Sequence, residues 1–457
     1  MTPMGPHDLR GKRILVIGLG KSGVAAASLA LRAGASVAAV DGAARDRLSP
    51  DALALEGLGV KIASGGLERV LYEGWDWIVI SPGVPRFAQL SSAETEGARV
   101  IGEVEFASWF LPAVPVLAIT GSNGKSTTVT LVGELLARAG LRPFVGGNLG
   151  DPPCAFVGPE RIFDHEAVVL EISSFQAERV PSFRANAVAL LNVSPNHLDR
   201  YDDFDGYVAA KGNLFENQRA GDIAVVPDGD ALCAAQAARG PAMATTFATQ
   251  LGSSAPYGFT RDEILDRRLG FAVPRKSIRL AGDHNASNIC AALALVSALE
   301  LSRDVIMETL TSFEGLAHRI VRVASKRGVT YYDDSKGTNV GATVAAILGL
   351  SEEKVVLIAG GRDKMGSYDP LAKALVERGR GAVLIGEAAD KIAAALSHEV
   401  PVRRAGSMEE AVKLASELAR PGDAVLLSPA CSSFDMFRDY KDRGAAFVDA
   451  ARALPDA

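Results

Sequence analysis

Short apolar runs recur along the chain, most of them ending at glycine, serine or an acid and followed by an alanine- or leucine-rich stretch. Strand-like runs alternating with helix-like runs are the pattern of parallel α/β sheets. The first segment opens with the β-branched run Arg13–Gly18, followed by a glycine-rich turn and an alanine-rich helix ending near Gly34. Ser36–Asp41 and Trp75–Ser81 read as its next strands. The second opens near Val114 with PVLAIT, then a polar loop and a helix from about Ser126 to Arg138, with Gly140 as its stop. Ala167–Glu171, Ala187–Val193 and Asp222–Val226 read as further strands, while Ala242–Arg275 has no clear period and reads as irregular. After Phe313 a third unit carries strands at Thr330–Asp334, Val355–Ala359, Ala382–Ile385 and Ala424–Leu427, with a helix at Met408–Ala419. The pattern predicts three α/β units, divided as 1–106, 107–315 and 316–457.

Composition narrows the class. The 457 residues are 48% hydrophobic and 22% charged, with a net charge of -6. No basic run marks a nucleic-acid partner. The four cysteines, Cys154, Cys233, Cys290 and Cys431, lie far apart and form no metal or disulfide pattern. The first residues lack the apolar core of a signal peptide, and no apolar run is long enough to span a bilayer. A soluble cytoplasmic protein is expected.

Two glycine loops carry the candidate chemistry. Thr120–Thr127, TGSNGKST, sits between an apolar strand and a helix, the setting of a phosphate loop. Backbone N–H groups and a helix N-terminus suit phosphate oxygens. Lys125 can reach terminal phosphates, and Ser126 or Thr127 can hold Mg2+. The spacing is nonstandard, because the first glycine of the usual pattern falls on Ile119; a plain glycine turn with a surface lysine is the bland alternative. The earlier loop, Gly18, Gly20 and Gly23 with Asp41 at the end of the next strand, is close to the dinucleotide fingerprint. Its physical demand is a tight turn with amides facing a diphosphate. NAD, a nucleotide-sugar diphosphate, or no ligand at all would each be compatible with it. Two phosphate sites in one chain favour one for substrate and one for ATP.

Downstream, Glu171 ends an apolar strand, where an acid can bind Mg2+ directly or through water. His197 and Asp199 follow another strand in NVSPNHLDRY. Lys211 reads as a surface helical lysine, and Asn285 and Asn288 as capping or packing residues.

Taken together, GLGKSG, SPGVP, TGSNGKST, GGNLG, LEISSFQ, NVSPNHLDRY, GDHNASN, GLAHR, DDSKGTN, GGRDK and SPACSSFDMF resemble the Mur ligase family of peptidoglycan synthesis, nearly end to end. DDSKGTN and SPACSSFDMF are similar to the D-glutamate-adding branch, and the DNPR-like signature of the diaminopimelate- or lysine-adding branch is missing. The resemblance implies a Rossmann-like N-terminal domain, a P-loop ATPase-like central domain and a Rossmann-like C-terminal domain. It implies three substrates, UDP-N-acetylmuramoyl-L-alanine, D-glutamate and ATP, with Mg2+ at two sites, in a monomeric cytoplasmic enzyme that uses no nucleic acid and no membrane insertion.

The resemblance also implies roles. Gly121, Ser122, Asn123, Gly124, Lys125, Ser126 and Thr127 would hold ATP, with Asn285, Arg319 and Asp334 around it. Ser126, Glu171, His197 and Lys211 would hold metal, Lys211 as a carbamate; Lys125, Glu171, His197 and Lys211 form the implied catalytic set. Gly18, Gly20, Lys21, Ser22, Asp41, Ser81 and Gly83 would lie around the UDP end of the substrate, and Asn148, Ser173 and His197 at its muramoyl-alanine end. Lys336, Thr338, Lys364, Ser433 and Tyr440 would form the amino-acid pocket, with Tyr440 where the family pattern has phenylalanine. Three rivals stand against this reading. A folylpolyglutamate synthase-like ligase leaves the first glycine loop unexplained. A NAD-dependent oxidoreductase leaves the second glycine loop and the third segment unexplained, and a nucleotide switch without catalysis would need no amino-acid pocket.

Overall fold

The apolar runs become the centres of three sheets, because a strand covered by helices on both faces must be apolar throughout. The computed structural model describes residues 8–67, 74–159, 163–196, 200–201, 203–280, 282–316, 318–363, 367–396 and 399–456. The first sheet is parallel, in the order β3-β2-β1-β4-β5, built from β1 (Arg13–Ile17), β2 (Ser36–Asp41), β3 (Lys61–Ser64), β4 (Trp77–Ile80) and β5 (Val100–Gly102). The short β3 and β5 escaped the sequence reading; β3 alternates exposed and half-buried residues and has no apolar run.

The second sheet contains β6 (Val116–Thr120), β7 (Pro143–Gly147), β8 (Ala167–Glu171), β9 (Ala187–Leu190), β10 (Ile223–Pro227), β11 (Met243–Phe247), β12 (Tyr257–Phe259), β13 (Glu263–Asp266) and β14 (Phe271–Pro274). Its order is β14-β13-β12-β11-β10-β9-β6-β8-β7, parallel up to β12 and antiparallel beyond. The reading of Ala242–Arg275 as irregular is therefore corrected: it forms four strands. They are short, and the last three are joined by polar turns such as Thr260–Asp262, so no window of sequence is long enough to display a period. The third sheet, β15-β16-β20-β17-β18-β19, comprises β15 (Val321–Lys326), β16 (Val329–Asp333), β17 (Val355–Gly360), β18 (Gly379–Ile385), β19 (Val402–Arg404) and β20 (Ala424–Leu427). It is parallel except for β15. The fold is thus α/β with three sheets.

In each sheet a central strand sits between neighbours reached by oppositely directed crossovers: β1 between β2 and β4, β6 between β9 and β8, β20 between β16 and β17. Such switch points open a crevice at the carboxyl ends of the strands, where α/β proteins bind ligands. Both glycine loops and Asp334 lie at these three crevices.

The seam between the first two sheets mixes apolar packing with a cluster of buried polar groups. The helix Glu103–Ser108 runs across the boundary expected at 106/107, and its Phe106 and Ala107 pack in the N-terminal core. Its Glu105 is well satisfied, accepting from the Ser182 and Phe183 amides at 3.0 and 2.7 Å and from Trp109 Nε1 at 2.9 Å. Glu103 is less so. Oε1 accepts from the Cys154 amide at 2.7 Å, whereas Oε2 is buried without a hydrogen-bond partner. Burial raises this carboxyl to about 7, only partly offset by the Cys154 bonds. Because the folded-state value exceeds the unfolded one, stability falls as pH rises from about 4.5 to about 7, and the full penalty is present above that window. Glu103→Gln removes this charge. The melting temperature of the variant relative to the native chain should therefore rise between pH 5 and pH 8, by the equivalent of roughly 3 kcal/mol at most. A difference that is flat across that range contradicts a buried, proton-retaining Glu103.

No helix among the described residues is long and apolar enough to cross a membrane. All four cysteines are free and buried.

Candidate active site

The loop after β6 bends because two glycines take positive φ, Gly121 at 149° and Gly124 at 85°. At Gly124 a side chain is also excluded by space: a Cβ would lie 2.3 Å from Asn288 Oδ1. The helix Lys125–Arg138 starts immediately after, so its first amides point into the bowl of the loop. The bowl is fastened from the β9 side. Asn123 N donates to Asn192 Oδ1 at 2.9 Å, Asn192 Nδ2 donates back to Asn123 O at 3.1 Å, and Ser122 Oγ donates to Ser194 O at 3.0 Å. Ser122 Oγ also lies 3.0 Å from the Tyr207 hydroxyl. The sequence reading missed Asn192, Ser194 and Tyr207. For Asn192 and Ser194 the signal was present, as polar residues just after the apolar strand β9, but nothing local said what they hold; Tyr207 lies within the helix Phe204–Glu216.

Two lysines share this bowl. Lys125 Nζ donates to Gly121 O at 2.7 Å and Ser122 O at 3.0 Å, and Lys211 Nζ reaches the same Gly121 O at 3.1 Å. The surface-helix reading of Lys211 is overturned: the residue is 1% exposed, with its ammonium 4.6 Å from the Tyr207 ring centroid. Burial drives its amine well below the ordinary lysine value, Lys125 pushes the same way, and Glu171 opposes them. Lys125 is lowered too, mainly by burial, with Glu171 again opposing. Glu171 itself is buried at the end of β8. Its Oε1 accepts from Asn148 Nδ2 at 2.7 Å, and its Oε2 has no hydrogen-bond partner. A buried, half-satisfied carboxylate beside phosphate-binding amides is the donor that a hard divalent cation seeks. Among the described residues no three His, Cys, Asp or Glu side chains gather as a metal cluster. His197 lies outside the described residues, as do Asp199 and Lys364.

The first glycine loop is equally determined. Gly18 takes φ 84°, and a Cβ there would meet Val84 at 2.6 Å; a Cβ on Gly23 would lie 1.7 Å from Gly18 O. Gly20 faces open space. Asp41 clamps the loop, accepting from Leu19 N at 2.6 Å and Ala43 N at 2.8 Å. Gly18, Gly20, Lys21, Ser22, Asp41, Ser81 and Gly83 line one cavity of about 530 Å³, and Asn148 lines it from the neighbouring sheet. Ser173 does not line it. It caps the helix Ser174–Ala177 in a reciprocal capping box with Gln176, and Gln176 reaches the cavity instead.

The third sheet meets the phosphate loop through two long-range contacts. Arg319 Nη2 donates to Ser126 Oγ at 2.8 Å, and Asn339 Nδ2 lies 3.4 Å from Asn123 Oδ1. Asp334 is buried at the end of β16. Burial raises its carboxyl to about 7, against a 2.7 Å bond from Ser428 Oγ and the pull of Arg319. Lys336 Nζ stands 3.8 Å from the Tyr440 ring centroid, a cation–π contact that a phenylalanine would also supply. Thr338 N donates to Lys336 O at 2.8 Å, and Ser433 is buried. Asn285 is buried beside Asn288, which donates to it at 3.3 Å. Unforeseen from sequence is Arg443, wholly buried, which donates to Ser335 Oγ, Ser335 O and Cys431 O and so ties the loop after β16 to the loop after β20. Burial brings its guanidinium down to about 10.

Comparison with known proteins gives a consistent picture. Three family models match in sequence: "Mur ligase MurD-like, N-terminal domain" over residues 12–102, "Mur ligase middle domain" over 119–296 and "Mur ligase, glutamate ligase domain" over 318–431. The chain is 43% identical over 453 residues to the UDP-N-acetylmuramoylalanine--D-glutamate ligase of Trichlorobacter lovleyi, covering 98% of this chain and 100% of that protein. It is likewise 43% identical to the enzyme of that name from Geobacter metallireducens, covering 98% of each. Among solved structures, the UDP-N-acetylmuramate-alanine ligase of Thermotoga maritima shares the fold with a TM-score of 0.55 at 19% identity, over 97% of this chain and 99% of that one. A pseudomurein peptide ligase type C from Methanothermus fervidus does so with a TM-score of 0.57 at 19% identity, over 91% and 96%.

Proposed function

The chain belongs to the Mur ligase family, and from its site we infer how it joins D-glutamate to UDP-N-acetylmuramoyl-L-alanine with ATP in peptidoglycan precursor synthesis. One observation carries the reading. Asn148 lines the cavity of the first glycine loop and at the same time bonds Glu171 beside the second. A nucleotide sugar lying in the cavity therefore brings its acyl end to the phosphate loop.

The reaction needs two bonds made in order. The alanyl carboxylate attacks the γ-phosphorus of ATP, giving an acyl phosphate and ADP. The amine of D-glutamate then adds to the acyl carbon, a proton leaves nitrogen, and the tetrahedral intermediate expels phosphate to leave the amide. Positioning and electrostatic stabilisation supply most of such catalysis. The loop amides and Lys125 face the phosphates; Arg319, tied to Ser126, adds a cation from the third sheet. Asn285 and Asp334 complete the nucleotide site. Lys336, Thr338, Ser433 and Tyr440, with Lys364, form the pocket for D-glutamate, where the Lys336 ammonium suits a carboxylate.

The residues present fit Mg2+: Glu171 offers a buried oxygen with no other partner, and Ser126 and Lys211 border the same bowl. We propose that Ser126, Glu171, His197 and carbamylated Lys211 hold two such ions. Bound there, the metal neutralises charge on the phosphates. We further propose a cytoplasmic monomer, divided at about 106/107 and 315/316, with the helix Glu103–Ser108 carried by the first domain.

Phosphate release from ATP tests the assignment. It should require both UDP-N-acetylmuramoyl-L-alanine and D-glutamate, and nicotinamide dinucleotides should not bind. Release indifferent to D-glutamate would overturn the reading.

A further inference from the structure

Arg200 belongs to the motif NVSPNHLDRY, yet nothing in the reaction above uses it. Its side chain is only 11% exposed. Its Nη1 donates to two backbone carbonyls of the N-terminal unit, Pro82 O and Val84 O, each at 3.0 Å. Nη2 reaches Glu178 Oε2 at 3.4 Å, and the guanidinium lies 4.1 Å from the Phe175 ring centroid. One planar fork thus grips a loop across the seam while an acid and an aromatic face fix its orientation.

The gripped loop is the one that forms a wall of the first cavity. Ser81, Pro82, Gly83, Val84 and Pro85 all line it. On its other side the loop rests on the glycine turn: Ser81 Oγ donates to Gly18 O at 2.8 Å, and Val84 fills the space that a Cβ on Gly18 would need. The loop is therefore held between Gly18 and Arg200. The segment that carries Arg200 begins at Asn192 and Ser194, which fasten the phosphate loop. Residues that hold the two glycine loops are thus only a few positions apart in sequence.

We propose that Arg200 is a positioning residue for the nucleotide-sugar substrate, setting the Pro82–Val84 wall of its cavity from the central unit without touching the reacting atoms. This rests on the reading of that cavity as the UDP-substrate site. A guanidinium bridging two carbonyls, stacked and paired, cannot be reproduced by an ammonium, which has no second nitrogen to keep Glu178 while it holds the loop. Loss of such a charge-assisted pair weakens the dependent step by about tenfold.

The test is calorimetric binding of UDP-N-acetylmuramoyl-L-alanine and, separately, of ATP to the full-length native chain and to Arg200→Ala and Arg200→Lys. Arg200→Ala should weaken nucleotide-sugar binding at least about tenfold, and Arg200→Lys should recover only part of it, while ATP binding stays within about twofold in both. A folded variant that binds the nucleotide sugar within about twofold of the native chain, or that loses ATP affinity equally, overturns the proposal. If Arg200→Ala does not fold, Arg200→Lys decides by the same criterion. Failure of the native chain itself to bind the nucleotide sugar would instead overturn the assignment of the cavity.

Discussion

Lys125→Ala should lower D-glutamate-dependent phosphate release by about a thousandfold or more, the scale of losing a cation that meets transferring phosphoryl charge. The same variant should bind UDP-N-acetylmuramoyl-L-alanine within about twofold of the native chain. The two expectations follow from where the residues sit. Lys125 is held by carbonyls of its own loop, Gly121 O and Ser122 O, and lines no part of the first cavity. Its burial already disfavours the charged form, so removing it relieves a desolvated cation, and Gly121 O keeps a donor in Lys211. The melting temperature should therefore hold, which separates a chemical loss from an unfolded protein. Single-turnover phosphate release and calorimetry of the nucleotide sugar check the pair of outcomes. Loss of nucleotide-sugar binding in the folded variant would contradict the division of labour between the two loops.

The central strands and both glycine loops were legible because each is a local signal. RILVIG and PVLAIT are apolar throughout, and a glycine turn followed by a helix is written in a few consecutive residues. What was not legible depends on distance in sequence. Arg443 meets Ser335 across 108 positions, and Arg319 meets Ser126 across 193. Nothing in a lone arginine codon-by-codon reading distinguishes these from surface charges. Short strands form a second blind spot. The antiparallel edge β12–β14 offers only three or four positions per strand, with β12 buried throughout, fewer than a period needs to declare itself. Lys211 is the sharpest case. On its helix it has glycine, asparagine and alanine for neighbours, and only the fold presses it against Tyr207 and the phosphate loop. Its candidacy came from resemblance; its environment supplies the physical reason, an amine kept from its charged form.

That environment leads to the second large effect, at Lys211. A neutral amine can add carbon dioxide, forming an N–C bond and releasing one proton, so that an uncharged side chain becomes an anionic carbamate. Beside Lys125 the exchange is electrostatically favourable, because burial and Lys125 disfavour a second cation in the bowl whereas an anion there is attracted to Lys125. Lys211→Ala should therefore remove a metal-holding anion as well as a side chain, with turnover falling by about a hundredfold or more, in keeping with lost electrostatic stabilisation at a dry site. Added acetate or propionate, which can carry a carboxylate into the vacated volume, should restore part of that activity in the folded variant. Arginine at the same position keeps a fixed positive charge, cannot form the carbamate, and should not respond to the acids. The amine must be neutral to react, so native enzyme depleted of carbon dioxide and then resupplied should recover faster as pH rises. No acid-dependent recovery in a folded, ATP-binding Lys211→Ala protein would sink the carbamate role and leave Lys211 as a buried donor to Gly121 O alone.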